Sequence, residues 1–249
     1  MNQIPSGNDK KGQVLSNMKK ATRFLTFLLF SLSFFTAKSQ VIFGESIEAF
    51  EQRVRRDSAE YQSLAQRFSS GDTTLTLPQL TFLYFGSAFR SGYQPSQEER
   101  ILGAGSALAQ REKFEDALRL FQNLLTKNPA CLPAWLEKAY TQWSAGDSLS
   151  VGATYKQYFQ LLQAPLTSGN GESPEKAFVV RSVRDIELVL NELGYDMMEH
   201  TLLKRNGQNF QVVTCSKEDN PGLQRDLYFN VQLPLTKEIR TVVKKKQGN

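Results

Sequence analysis

The chain has 249 residues, of which 40% are hydrophobic and 22% charged, with 30 Lys and Arg against 25 Asp and Glu. One histidine and two cysteines exclude a His-rich zinc centre and a small disulfide-framework scaffold. The formal charge of +5 does not point to nucleic acid: Lys10, Lys11, Lys19, Lys20, Arg23 and Lys38 stand against Asp9 alone in residues 1–39, and the remainder is balanced.

The chain opens with a polar, patternless stretch, Met1 to Asn17, which reads as a misplaced start. Residues 18–39 then read as a secretory signal peptide. Lys19, Lys20 and Arg23 form the positive start, Phe24 to Thr36 the apolar run, and Ala37-Lys38-Ser39 the small-x-small cleavage site. The run is shorter than the roughly 20 apolar residues of a membrane span. No cysteine follows the cleavage site, so the expected product is a periplasmic or secreted protein beginning near Gln40, without a lipid anchor or a transmembrane segment. Its two cysteines, Cys131 and Cys215, can form a single bridge or stay free.

Residues 40–166 read as helical. Ile47, Phe50, Val54, Tyr61, Leu64 and Phe68 recur at helical spacing over residues 45 to 69, with a restart at Asp57-x-x-Glu60. Thr76-x-x-Gln79 is a capping box with Pro78 in the first turn, and the helix that follows is apolar nearly all round, as a core helix is. Residues 98 to 162 then carry a 34-residue internal period that pairs Ile101 with Trp135, Gly105 with Ala139, Phe121 with Tyr155, Leu124 with Tyr158 and Leu125 with Phe159. Phe114-Glu115-Asp116-Ala117-Leu118 and Asn128-Pro129 complete a pattern that resembles the tetratricopeptide repeat, in which small residues such as Gly105 and Ala117 let paired helices approach. Asn128 suits a left-handed C-cap before Pro129. Two units are legible, fewer than a free-standing solenoid uses, so the hairpins are expected to lean on the remainder of the chain.

Residues 167–236 change character. Thr167 to Pro174 is rich in turn formers, Ala177 to Arg181 reads as a strand, and Ser182-x-x-Asp185 caps a short helix with Val183, Ile186, Val189, Leu190 and Leu193 on its apolar face, stopped by Gly194. Residues 196–204 and 209–216 flank Asn206-Gly207, a strong hairpin signal, and Leu227 to Leu233 forms a last strand. The fold class is therefore α+β: helical hairpins packed on a small β-α-β-β-β unit with a mostly antiparallel sheet. Residues 237–249, ending in Lys244-Lys245-Lys246, read as a solvated basic tail.

Candidate chemistry is sparse. A two-residue turn at Asn206-Gly207 sets His200 opposite Val213 and Met198 opposite Cys215, making His200 and Cys215 diagonal neighbours on one face and a conceivable thiol–base pair. A buried, inert cysteine is the commoner outcome. Glu98-Glu99, Glu115-Asp116 and Glu218-Asp219 read as helix-start or loop solvation. No catalytic, cofactor-binding or metal-binding residue and no cofactor is assigned.

The run Gly71 to Thr76 leading into LTFLYFG, the repeat-like segment, and SGNGESPEKAF followed by LYFNVQLP resemble a family of secreted Bacteroidetes proteins grouped as domain of unknown function 4919, from about Tyr61 to Pro234. That resemblance implies an extracytoplasmic bacterial location and brings no site residues. The expected role is a non-enzymatic module binding a protein or peptide. The alternatives are a hydrolase or redox protein using Cys215 with His200, or carboxylates between the two regions, and a structural part of an envelope assembly.

Overall fold

The computed structural model describes residues 41–42 and 45–235; the leader and the basic tail lie outside them. Two short strands, β1 (Val41–Ile42) and β2 (Glu45–Ser46), lead into seven helices: α1 (Ile47–Arg56), α2 (Ser58–Ser69), α3 (Leu77–Ser87), α4 (Pro95–Ala109), α5 (Phe114–Lys127), α6 (Leu132–Ser144) and α7 (Ser148–Leu166). A single 3₁₀ turn at Pro174–Lys176 precedes β3 (Phe178–Val179), α8 (Asp185–Glu192), β4 (Tyr195–Arg205), β5 (Gln208–Lys217) and β6 (Asn220–Asn230). The α+β class stands.

The helix breaks fall where their chemistry changes. The first amphipathic stretch breaks at Asp57, but no capping box forms there: the Asp57 carboxylate turns to Arg56 instead of capping α2. At α3 the Gln79 side chain does accept from the Thr76 N–H at 2.9 Å. Every residue from Leu80 to Ser87 is buried, matching an apolar circumference. Helices α4–α5 and α6–α7 form two hairpins. Gly105 is where the first hairpin closes, for a Cβ there would sit 2.4 Å from Phe121 Cε1. Asn128 does not take a left-handed conformation (φ −141°). Its side chain is recruited elsewhere, donating to Glu98 and accepting from the Ala130 N–H.

The four-stranded sheet has the order β3-β6-β5-β4, with β3 parallel to β6 and the other pairs antiparallel. Asn206 and Gly207 both have positive φ (51° and 76°), which suits the tight two-residue turn between Arg205 and Gln208. Four expectations need correction. Ala177 to Arg181 contributes only Phe178 and Val179 to the sheet, because the Arg181 N–H and C=O are taken by Tyr84 and Tyr93. The last strand spans Asn220–Asn230 rather than Leu227 to Leu233; its polar first half is carried by the β5 ladder, and the Asn230 side chain caps the Gln232 N–H beyond its end. Val183 is exposed, since α8 begins only at Asp185. A bulge at Met198 places Met197, not Met198, opposite Cys215, while His200 does pair with Val213.

Helices and sheet share one hydrophobic cluster, running from Phe50, Phe68 and Phe85 to Phe178, Val213 and Phe229. The linking loop is tied down by the Tyr228 N–H, which donates to the Gly171 carbonyl at 2.9 Å.

Candidate functional site

A polar cluster sits inside this core, where the start of α4 meets the segment between β3 and α8. Arg181 is fully buried and is among the largest such side chains. Its Nη1 donates to Glu98 Oε2 at 2.9 Å, and its guanidinium lies 5.0 Å from the centre of the Tyr93 ring. The backbone is clamped as well: the Arg181 N–H donates to Tyr84 Oη, and Tyr93 Oη donates to the Arg181 carbonyl. Tyr84 Oη in turn donates to Asp185 Oδ2, which also accepts from the Ser182 N–H. Asn128 Nδ2 holds the second Glu98 oxygen at 2.6 Å.

Burial dominates the protonation of these groups. It works most strongly against the charge on Arg181, but Glu98, with Tyr93, Cys131 and Asp185 adding to it, outweighs burial and holds the guanidinium well above its ordinary range. Burial pushes Asp185 up, with Arg181 and the Tyr84 hydroxyl pulling the other way. Tyr84 and Tyr93 are raised by burial, so both phenols stay protonated and serve as donors. Asp185 Oδ1 and the Nε and Nη2 of Arg181 have no hydrogen-bond partner among the described residues. Such a cluster is costly to bury and fixes one arrangement of α3, α4 and α8.

Glu98 and Tyr93 also reach the surface side of this cluster, where they line a cleft of about 460 Å³. Its walls are one face of α2 (Tyr61, Gln62, Gln66), the α3–α4 connection (Arg90 to Gln94), the first turns of α4 (Gln97, Ile101) and the end of α5 (Leu124, Lys127). Trp135 Nε1 donates to the Pro129 carbonyl at 2.8 Å, fixing the turn that closes the cleft. Arg90 stacks 4.9 Å from the Tyr61 ring centre and donates to Ser58. Burial raises the Tyr61 phenol to about 12. The lining is thus amides, hydroxyls, aromatic edges and the cations Arg90 and Lys127 around one carboxylate whose two oxygens are both engaged.

The sequence-derived candidates lie elsewhere. Cys215 is buried in β5, donates to the Arg225 carbonyl at 3.4 Å and has its thiol pKa raised by burial. His200 lies exposed on the edge strand β4. Their geometry therefore offers no activated thiolate. Cys131 and Cys215 are both free and buried. Among the described residues no group of three or more His, Cys, Asp or Glu side chains could hold a metal ion, and no helix is long and apolar enough to cross a membrane.

Glu98 corrects an expectation: it is no solvated helix-start acid, whereas its neighbour Glu99 pairs with Arg184 near the surface. Arg181, Asp185, Tyr84 and Tyr93 carry the cluster, and sequence reasoning missed this role. The signals were an arginine closing the apolar run AFVVR and a tyrosine inside an otherwise apolar core helix.

No curated protein and no solved structure matches the chain. A family model matches residues 48–240, so the chain belongs to the family described as domain of unknown function (DUF4919).

Proposed function

We propose that this is an extracytoplasmic, non-enzymatic protein that binds a peptide segment of a partner in the cleft between α2, α4 and the end of α5. The cleft itself carries the reading. Its side-chain amides each donate and accept, so they can pair with peptide groups, and its sole lining carboxylate is held by Arg181 and Asn128 rather than presented to a substrate. Asp185 is fully buried. Burial of Asp185 and the engagement of Glu98 thus favour binding over hydrolysis by these two carboxylates. The two hairpins would work as tetratricopeptide-like units, whose paired helices build concave binding surfaces.

A photo-crosslinking side chain at Gln97, tested in cells, is expected to capture a polypeptide, while the same group at exposed Leu223 captures none. Capture at both positions alike, or stabilisation of the fold by a small molecule without any polypeptide adduct at Gln97, overturns the reading. The signal-like leader supports a periplasmic or secreted location. Export of the chain from Met18 is expected to yield a mature N-terminus near Gln40 by mass spectrometry, and retention of an uncleaved chain inside the cell would refute it.

One observation favours a second reading, a component of an envelope assembly. Tyr140, Trp143, Leu149 and Phe159 are exposed on the second hairpin, and the Tyr140, Tyr155 and Phe159 rings form a ladder with centres about 6 Å apart. Trp143→Ser is then expected to abolish co-purification at fixed stoichiometry; unchanged stoichiometry removes this reading.

A further inference from the structure

We propose that the cleft selects peptide segments that carry a carboxylate, gripped between Arg90 and Lys127. This rests on the peptide-binding reading above and adds the charge of the ligand.

The charge balance of the lining sets the sign. Its charged side chains are Arg90, Glu98 and Lys127. Glu98 is cancelled from below by the buried Arg181 guanidinium at 2.9 Å. Two cations therefore face the cleft with no free anion beside them. Eight other arginines of the described residues have a carboxylate within ion-pair distance. Arg90 is spent instead on the Ser58 hydroxyl and the Tyr61 ring, which use one N–H and one face of a group with five donors. Lys127 is exposed at the end of α5 and makes no ion pair among the described residues.

Helix dipoles do not reverse the result. The N-terminal turn of α4 and the C-terminal turn of α5 both line the cleft, and their partial charges are opposite and of similar size. The amides of Gln62, Gln66 and Gln97 carry no charge of their own and serve the ligand's backbone. A carboxylate on an extended segment meets the two cations, while a lysine at the same point meets only repulsion.

Fluorescence anisotropy with capped, labelled octapeptide pools tests this, each pool having one position fixed as Glu, Gln or Lys. The Glu pools are expected to bind about tenfold or more tighter than the matched Gln pools, with the Lys pools weakest. The gap should narrow as NaCl rises from about 0.05 M to about 0.5 M, where screening shortens the reach of the cations. Lys127→Gln and Arg90→Gln should each shrink the Glu-over-Gln preference several-fold, read as the ratio of Glu-pool to Gln-pool affinity within the same variant. Lys127→Gln is the safer variant, because Lys127 is exposed whereas Arg90 is half-buried against Tyr61 and Ser58. Equal binding of Glu and Gln pools overturns the charge selection and leaves peptide binding standing. Absence of binding by every pool overturns both.

Discussion

Arg181 shows how much one side chain can decide. It is fully buried, and its ion pair is made with Glu98. Removing one partner of such a pair leaves an uncompensated charge in the core. Glu98→Gln is expected to lower the unfolding free energy by about 3–5 kcal/mol in urea titrations. Replacing both, as Arg181→Met with Glu98→Leu, should recover most of that loss, because the desolvation cost disappears along with the pairing; a double variant as unstable as the single one would show that shape, not charge, was lost. Asp72 acts at the surface and through pH. The Thr74 hydroxyl and N–H, then Arg67, hold its carboxyl down from 3.8 to about 2. A depressed acid stabilises fully above its unfolded value and ceases to do so as pH falls through the folded one. Between pH 3.8 and about 2 the urea midpoint of the wild type should therefore fall more steeply than that of Asp72→Asn.

At the scale of elements, helix α4 offers an internal control. It contains two interior glycines in opposite settings. A Cβ at Gly105 would collide with Phe121 across the first hairpin, whereas a Cβ at Gly103 meets nothing within 4 Å. Gly103→Ala is expected to raise stability by about 0.5–1 kcal/mol through helix propensity and unfolded-state entropy. Gly105→Ala forfeits that gain to overpacking of about 1–3 kcal/mol, and its melting temperature should fall. If both variants melt alike, the close approach of α4 and α5 is not what Gly105 serves. The β4–β5 hairpin depends on its turn in the same way: Gly207 at φ 76° and Asn206 at φ 51° occupy the left-handed region, so Gly207→Ala should cost about 1 kcal/mol.

For the whole molecule, the helices and the sheet are joined by one core and by the Arg181 cluster, which ties α3 and α4 to the β3–α8 segment. Amide hydrogens of Phe121 in α5 and Val213 in β5 are therefore expected to exchange through the same global opening, with equal free energies. Two clearly separated values would mean that the helical and sheet regions unfold independently. Much of this architecture was legible from local pattern. Helical periodicity marked α1 to α7, Asn206-Gly207 marked the hairpin, and the 34-residue period marked two helical hairpins, with Gly105 at the contact inside the first. Those features depend on neighbours a few residues apart, so the chain states them directly. The site was not legible in that way. Glu98, Asn128, Arg181 and Asp185 are far apart in sequence, and each has a satisfactory local reading as a helix-start acid, a cap or a strand end. Only the packing of α4 against the β3–α8 segment removes water from them, and it is that desolvation which makes each the partner of the next. Local sequence thus determined the elements and the turns, and tertiary structure alone decided which charges were buried, which were cancelled and which were left facing the cleft.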